Sequence, residues 1–397
     1  MAERKGMEVS IAVAEAAAAC DVDCIAAYPI TPQTHIVEHL SEIVAEGHLD
    51  AEFIPVESEH AAMSACCGCS AAGARTFTAT SSQGLALMHE ILFIAANLRL
   101  PIVMVVANRA LSGPINIWND HSDVMTERDV GWLQIFAENG QESVDLVIAA
   151  HRIAEDKRVT LPIMVHFDGF IVSHVIEPIV LPTRDEVKKY LPDFQPVQRL
   201  DIDKPMTMGP VGMPTVYTEA KMAQEHAVRS AYGPIVELLG EFGKAFGRNY
   251  KPVEAYKADD AEIIYVSMGG ISETAMTWID QKRAKGEKVG LVRFRLWRPL
   301  PADDFKAAIK GAKVLAVLDR HFSPGGAGGP VAQEVKYLMY GLPGAPKIVE
   351  SVVGLGGRDV TFADFEKIYG KCKAVLGGAP VPPFELTQVR GGHYGEV

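Results

Sequence analysis

Short apolar runs alternate with helical patterns along the chain, and this alternation constrains the fold more than any other feature. The runs carry apolar side chains on both faces, as strands do in a buried parallel sheet. Between them, apolar residues recur at helical spacing over stretches long enough to cross back over a sheet. The sequence therefore predicts an α/β fold in which helices cover parallel sheets.

This pattern forms two blocks. In the first block we predict helices at Met7–Cys20, Thr34–Ala45 and Glu59–Ala72, and strands at Cys24–Tyr28, Glu52–Val56, Thr76–Thr80, Ile102–Ala107 and Ile163–Phe167. In the second block we predict strands at Ile263–Met268, Val289–Phe294, Val314–Leu318 and Ile348–Val353, and helices at Ser272–Lys285, Asp303–Lys310 and Val331–Tyr340.

A proline-rich stretch from Ile176 to Asp260 separates the blocks and predicts a connecting segment rather than a compact domain. Two helical stretches lie within it, Glu219–Ser230 and Ile235–Phe246. We therefore expect a first domain over residues 1–240, which ends in this segment, and a second domain over residues 258–375. Residues 376–397 are rich in Gly and Pro and predict a C-terminal arm that lies over a surface, either of this chain or of a partner subunit.

Charge and hydropathy exclude two classes of partner. Lys and Arg number 38 against 50 Asp and Glu, a net charge of −12, and no basic stripe could follow a phosphate backbone. No apolar run is long enough to span a bilayer. The Ala-rich stretch near the N-terminus is interrupted by Glu8 and Glu15, which indicates an amphipathic first helix rather than a signal peptide. We expect a cytoplasmic protein that binds neither nucleic acid nor membranes.

The six cysteines do not form a four-ligand metal motif. Only Cys66 and Cys69 have CxxC spacing, and a zinc site or an iron–sulfur cluster would need further ligands. The cluster at 66–69 lies among Ala and Gly residues, which favours small buried thiols on a closely packed helix. We predict no metal site in this chain.

Ligands collect at the carboxyl ends of parallel strands, so the loops after the predicted strands are the candidate sites. Thr31 lies between Pro29 and Pro32, which presents its hydroxyl on a rigid turn, although an N-cap role would explain it equally. Glu57 and Glu59 precede a helix of very small residues; solvated acids at a helix N-terminus are the alternative.

Two further loops have unusual compositions. Residues 81–84, Ser-Ser-Gln-Gly, form a polar turn that would let a ligand approach backbone N–H groups, or a plain strand-to-helix turn. Residues 108–123 form a long loop that mixes Arg, Asn, Asp, His and Trp. Its Arg109 offers a planar fork that suits a carboxylate, although a structural ion pair is as common a use.

Common catalytic motifs are absent from the sequence. It contains no GxxxxGK[ST] phosphate loop, HExxH helix, GxSxG turn or GxGxxG in a dinucleotide-binding context. The glycine-rich run Gly325–Pro330 precedes a predicted helix. It could approach a phosphate, but tight packing against a neighbouring segment is at least as good an explanation.

Taken together, these loops resemble the alpha subunit of pyruvate:ferredoxin oxidoreductases (pyruvate synthases), in the thiamine diphosphate-dependent 2-oxoacid:ferredoxin oxidoreductase family. The matching stretches are Tyr28–Pro32, Glu57–Ala62, Thr80–Gly84, Asn108–Asp123, Asp168–Phe170, Arg298–Pro299, Asp319–Arg320 and Ser323–Pro330. The resemblance covers nearly the whole chain.

The resemblance implies a pyrimidine-binding type of thiamine-enzyme domain followed by a domain like the transketolase C-terminal domain. Glu59 would be the catalytic acid that hydrogen-bonds the aminopyrimidine ring and promotes its imino form. Cofactor contacts would also come from the turn Ser81, Ser82, Gln83 and Gly84. Thr31 and Arg109 would hold the 2-oxoacid, with the guanidinium opposite its carboxylate.

The sequence also departs from the thiamine-enzyme pattern, because it contains no Gly-Asp-Gly motif to hold magnesium and diphosphate. The resemblance therefore implies a beta subunit that supplies the Mg²⁺ and diphosphate site. It further implies an iron–sulfur subunit and a small subunit, because repeated Cys-x-x-Cys runs are missing as well. Ferredoxin and coenzyme A would be the other reactants.

Three functions compete on this basis. The first is oxidation of pyruvate with coenzyme A and ferredoxin, in either direction. The second is the same chemistry on branched-chain 2-oxoacids such as 2-oxoisovalerate, and the third is a non-catalytic scaffold subunit. Intact Thr31, Glu59 and Arg109 argue against the scaffold.

Overall fold

The computed structural model describes residues 4–390. Its first part contains β1 (Arg4–Glu8), α1 (Val9–Ala19), β2 (Cys24–Ala27), α2 (Thr34–Ala45), β3 (Glu52–Pro55), α3 (Glu59–Ala72), β4 (Thr76–Thr80), α4 (Ser82–Asn97), β5 (Val103–Asn108), α5 (Ser122–Thr126), β6 (Leu133–Phe136), α6 (Gly140–Ala154), β7 (Ile163–Asp168), β8 (Ile176–Val180), α7 (Arg184–Tyr190), α8 (Pro214–Ser230) and α9 (Tyr232–Phe246). The second part contains β9 (Val253–Tyr256), β10 (Ile263–Ser267), α10 (Ile271–Arg283), β11 (Val289–Phe294), β12 (Leu296–Arg298), α11 (Ala302–Ala308), β13 (Val314–Asp319), α12 (Pro330–Met339), β14 (Lys347–Val352), a 3-10 turn (Leu355–Gly357), α13 (Phe362–Leu376) and β15 (Glu385–Leu386).

The first part is built on a seven-stranded sheet in the order β12-β6-β7-β5-β4-β2-β3. All its neighbours are parallel except β12, which joins β6 antiparallel. Every residue of β4, β5 and β7 is buried because helices cover both faces of the sheet. In the register of β5 and β7, Asn108 lies opposite Asp168, so both strands end at the same edge.

The second part is built on a six-stranded sheet in the order β15-β14-β13-β10-β11-β9, in which only β9 is antiparallel. The predicted α/β fold class is therefore confirmed. Strand β12 belongs to the second part of the chain yet extends the first sheet, so the two parts share an interface. There Glu142 of α6 accepts hydrogen bonds from Arg293 at 2.7 Å and from Arg295 at 2.6 Å.

Several local expectations need correction. Helix α1 is buried on almost all sides against α2 and α6, so it is not amphipathic. Strand β6 and helix α6 were not predicted: β6 has only four residues, one of them Gln134, and α6 is buried almost throughout although it contains several polar residues. The connecting segment is partly folded onto the first domain, since α9 places Leu238, Leu239 and Phe242 in its core.

The C-terminal arm is described only to residue 390, and residues 391–397 lie outside the described part of the chain. Before that point, β15 pairs in parallel with β14, so this part of the arm contacts the chain's own second sheet. Within residues 4–390, we find no helix both long and apolar enough to cross a membrane. The domain limits themselves remain predictions.

The cysteine cluster behaves partly as expected. Cys66 is a buried thiol, and burial raises its pKa to about 12. Cys69, by contrast, forms a disulfide with Cys24, which corrects the expectation that the cluster contains only thiols. Helix α3 packs directly on β2 and brings these two residues together, although they are 45 positions apart.

Candidate active site

The carboxyl ends of β2, β3, β4, β5 and β7 bring the predicted site loops to one edge of the first sheet. These strands are parallel neighbours, so the residues that follow them emerge side by side. Thr31 follows β2, Glu59 follows β3, and the turn at residues 81–84 follows β4. Arg109 follows β5 directly.

Glu59 is the first residue of α3 and is buried, with only 6% of its surface exposed. Ser58 caps the helix by accepting a hydrogen bond from the Ala61 N–H at 3.2 Å, which orients this first turn. Within residues 4–390 the Glu59 carboxylate has no hydrogen-bond or ion-pair partner. A buried carboxylate without a partner is costly, which marks Glu59 as a group that awaits a ligand or a partner chain.

Gly84 makes room for this carboxylate. A Cβ atom at position 84 would lie 2.7 Å from Oε1 of Glu59 and 2.5 Å from Oγ1 of Thr80. Only glycine therefore allows the start of α4 to approach Glu59 this closely. The hydroxyls of Thr80 and Ser81 are buried nearby in the chain and have no hydrogen-bond partner in the described residues.

Ser82 and Gln83 complete the turn. Ser82 has a positive φ of 47°, an uncommon conformation for a non-glycine residue that the surroundings must enforce. Its N–H donates to Asp123 at 3.1 Å and its hydroxyl donates to the Ala110 carbonyl at 2.7 Å. The same hydroxyl lies 2.7 Å from Oε1 of Gln83, which is a second acceptor for its one proton. These contacts hold the turn in place, whereas Ser81 keeps its hydroxyl free.

Arg109 and Thr31 are brought together by the structure. The Arg109 guanidinium donates from Nη1 to the Thr31 carbonyl at 2.9 Å and from Nε to the Asn116 carbonyl at 2.8 Å. Arg109 is 7% exposed, and no carboxylate in residues 4–390 pairs with it. Its Nη2 group therefore remains available for an anion, and the ion-pair alternative has no support in the described part of the chain.

Asp123 organises this edge of the sheet and was not singled out by the sequence. Its carboxylate accepts hydrogen bonds from the backbone N–H groups of Ser82 and Arg109 and from the Asn108 side chain, at 2.9 to 3.1 Å. Burial raises the pKa of Asp123 to about 7 despite these donors. In the sequence, only the position of Asp123 at the end of the long loop pointed to it. The sequence cannot show that this loop folds back so that Asp123 meets Ser82 and Arg109.

A second cluster joins this edge to the other domain. Asp168 at the end of β7 accepts hydrogen bonds from Arg320 at 2.7 Å and from the Gly270 N–H at 2.9 Å, and it contacts His121 at 3.1 Å. The neighbouring Gly169 lies so close to Pro32 that a Cβ atom would be 2.6 Å from its ring. The backbone at Gly169 therefore packs directly against the turn that carries Thr31 and supports it.

The glycine-rich run before α12 serves packing rather than anion binding. Asp319 accepts hydrogen bonds from the N–H groups of Val331 and Ala332 at 2.8 and 3.0 Å. A Cβ atom at Gly329 would collide with this carboxylate at 2.1 Å. These N–H groups at the N-terminus of α12 already donate to a carboxylate of the chain itself, so they are not available to a phosphate.

Comparisons with known proteins agree with this geometry. Residues 15–238 match the family model described as pyruvate flavodoxin/ferredoxin oxidoreductase, thiamine diphosphate-binding. Residues 261–365 match the model for pyruvate:ferredoxin oxidoreductase core domain II. The candidate site therefore lies within the first matched region, and the strands β10, β11, β13 and β14 of the second sheet lie within the second.

Curated relatives extend the match over almost the whole chain. Pyruvate synthase subunit PorA of Methanocaldococcus jannaschii is 50% identical over 93% of this chain and 94% of its own length. Ketoisovalerate oxidoreductase subunit VorA of Pyrococcus horikoshii is 41% identical over 94% of each chain.

A solved structure has a similar fold. It is the 2-oxoglutarate:ferredoxin oxidoreductase from Magnetococcus marinus with 2-oxoglutarate, coenzyme A and succinyl-CoA bound, at a TM-score of 0.70 and 19% identity. The match covers 94% of this chain and 65% of that one. From the matched models and the identity to curated relatives, the chain belongs to the pyruvate flavodoxin/ferredoxin oxidoreductase family.

Proposed function

We propose that this chain is the subunit of a pyruvate synthase that provides the pyrimidine-binding half of the active site. The complete enzyme converts pyruvate, coenzyme A and oxidised ferredoxin into acetyl-CoA, CO2 and reduced ferredoxin, and can run in reverse. The observation that carries the proposal is a pair of buried charged groups at one edge of the first sheet, Glu59 and Arg109, neither of which has an ion-pair partner in residues 4–390. Glu59 suits a cofactor ring, and Arg109 suits the carboxylate of a substrate.

Thiamine diphosphate fits the residues around Glu59. Three buried polar atoms have no hydrogen-bond partner in the described residues: Oγ1 of Thr80, Oγ of Ser81 and Oδ1 of Asn108. Buried polar groups normally have a partner, so these atoms suit a polar ligand. When bound, this cofactor supplies the nucleophilic carbon that allows a 2-oxoacid to lose CO2. Glu59 would share a proton with the pyrimidine ring, and Gly84 would keep the carboxylate in reach of it.

Arg109 and Thr31 would bind and orient the substrate. The Arg109 Nη2 group can donate to a carboxylate oxygen of pyruvate, and the buried guanidinium makes this ion pair stronger than one in water. Two backbone carbonyls already hold the guanidinium plane, so it loses little freedom on binding. The Thr31 hydroxyl has no partner in the described residues and can donate to an oxygen of the same substrate.

Partner subunits complete the enzyme in this proposal. A beta subunit would supply Mg²⁺ and the diphosphate contacts, because the chain has no Gly-Asp-Gly motif. An iron–sulfur subunit would carry electrons to ferredoxin, and a further small subunit would belong to the same complex. A cytoplasmic location remains a prediction from the sequence.

Branched-chain 2-oxoacids are the second candidate substrates, because a relative named ketoisovalerate oxidoreductase subunit VorA is 41% identical. The higher identity to subunits named pyruvate synthase, such as the 50% match to the Methanocaldococcus jannaschii protein, favours pyruvate. The scaffold alternative is disfavoured because it leaves the buried charges of Glu59 and Arg109 without a purpose.

Reconstitution tests the proposal. The purified chain alone is expected to reduce no viologen dye with pyruvate, and to gain this activity when its co-purifying partner subunits are added. Pyruvate, 2-oxobutyrate and 2-oxoisovalerate should be compared by kcat/KM on the reconstituted complex. Turnover by the single chain would contradict the divided active site, and a preference for 2-oxoisovalerate would contradict the pyruvate assignment.

A further inference from the structure

Three potential metal ligands lie together outside the candidate active site. They are Glu8 at the end of β1, His35 in the first turn of α2, and His174 in the turn before β8. Each can offer one ligand atom such that all three atoms lie within 4.8 Å of one another. No part of the mechanism proposed above uses them.

The cluster contains one more potential ligand than a simple hydrogen bond uses. Nδ1 of His35 lies 2.6 Å from Oε1 of Glu8, and that pair alone would satisfy both groups. His174 is then surplus, yet its ring centroid lies 4.7 Å from that of His35. His174 therefore places a second imidazole beside this pair.

The surroundings of His174 provide a further element of a metal site. Its Nδ1 lies 2.7 Å from Oγ of Ser173, a contact that would direct Nε2 toward the cluster. A ligating histidine commonly uses its other ring nitrogen in this way, which sets the tautomer and the ring orientation. The site also remains open to solvent, because the His35 side chain is 42% exposed.

We propose that Glu8, His35 and His174 bind a divalent transition metal ion, with Zn²⁺ as the best match to two imidazoles and one carboxylate. Three protein ligands leave one position for water in a tetrahedral arrangement. The ion links β1, α2 and the turn before β8, three segments that are distant in the sequence. The ring of His174 also packs at a tilt against Phe170, with centroids 4.5 Å apart, and the Phe170 ring lies 5.9 Å, centroid to centroid, from that of Trp118 in the long loop.

Metal titration of the full-length chain tests this proposal. After the chain has been treated with a chelator, it should bind one equivalent of Co²⁺ and show the visible absorption of a four-coordinate site with nitrogen and oxygen ligands. Zn²⁺ should displace the Co²⁺. Zn²⁺ should also raise the Tm of the chelator-treated chain, because an ion that binds only the folded state stabilises it. His174→Asn should abolish both effects, and His35→Asn provides a second variant should the first fail to fold.

A neighbouring pair, His39 of α2 and Glu15 of α1, provides the matched control. Nε2 of His39 lies 2.7 Å from Oε1 of Glu15 but lacks a second imidazole, so His39→Asn should leave Co²⁺ binding unchanged. Cys67→Ser excludes binding through the partly exposed thiol. Equal Co²⁺ binding by the wild type and His174→Asn, or no binding by the wild type, would overturn the proposal.

Discussion

Glu59 and Arg109 are oppositely charged and buried at the same sheet edge, and neither has an ion-pair partner in residues 4–390. Their cost to the free energy of folding is hard to explain unless a ligand or a neighbouring subunit compensates for it. Both were predicted as site residues before their burial was known, and their roles remain predictions. The two variants below separate the cofactor role from the substrate role.

Glu59→Gln should lower the activity of the assembled complex at least about a hundredfold, the scale on which a positioned acid–base group contributes. Glutamine has nearly the same volume but cannot share a proton with the cofactor ring. Steady-state viologen reduction with pyruvate measures the effect. Glu57→Gln is the control, because Glu57 is exposed and should tolerate the change. A larger loss in Glu57→Gln would show that the assignment along this loop is wrong.

Arg109→Lys and Thr31→Val should impair substrate use while cofactor binding stays unchanged. Lysine keeps the charge but loses the planar fork that contacts the Thr31 and Asn116 carbonyls. Valine removes only the Thr31 hydroxyl, and the loss of one hydrogen bond to a charged ligand costs about 1.5 to 3 kcal/mol. Values of kcat/KM for pyruvate should therefore fall roughly ten- to a hundredfold. Unchanged kinetics in both variants would remove these residues from the site.

Helices α3 and α4 approach each other closely at the start of α4, and Gly84 makes this possible. Gly84→Ala should displace the Glu59 carboxylate, since the added methyl group would lie 2.7 Å from Oε1. We expect the free energy of unfolding to fall by about 1–3 kcal/mol, as at other overpacked positions. We also expect the activity to fall at least about tenfold, which corresponds to about 1.4 kcal/mol.

Gly68→Ala on helix α3, which packs against α4, is the matched control for this change. Nothing lies within 4 Å of the Cβ atom that it adds. Removal of a glycine from a helix interior should stabilise the chain by roughly 0.5–1 kcal/mol and leave the activity unchanged. Urea unfolding and viologen reduction measure both variants. Equal behaviour of the two variants would contradict the close-approach argument at Gly84.

The two domains are joined across the sheet edge by Asp168, which pairs with Arg320 and His121. Asp168→Asn should destabilise the chain by about 3–5 kcal/mol, because it leaves a buried guanidinium without its counter-charge. Burial would raise the pKa of Asp168, but Arg320 and His121 outweigh it and hold that pKa below its ordinary range. This stabilisation is therefore present at neutral pH and is lost as the pH falls below the ordinary carboxyl range.

Urea unfolding at neutral and acidic pH tests this prediction, and the difference between wild type and variant should shrink on acidification. Asp280→Asn is the control, because its pair with Lys257 is on the surface, with side chains 50% and 41% exposed. Such a pair contributes about 0–1 kcal/mol. A loss of similar size in the two variants would contradict the role of Asp168 at the domain interface.

Strands and helices were largely predictable because their residues encode them locally. The five buried runs of the first block became strands within one or two residues of the predicted limits, and the loops after them emerged at the expected edge. Helices Thr34–Ala45 and Glu59–Ala72 match the prediction without change. The polar and charged residues of the loops could therefore be placed on one edge of the sheet before their contacts were known.

Contacts between distant residues could not be predicted, because they depend on how the elements pack. Arg109 meets the carbonyl of Thr31 across 78 positions, and Arg320 meets Asp168 across 152. The Cys24–Cys69 disulfide, the burial of α1 and the position of Asp123 arise in the same way. The order of strands and loops along the sequence was enough to place the candidate residues at one edge of the sheet. Tertiary packing decided which charges at that edge are left without a partner, because only the packed chain removes water from them.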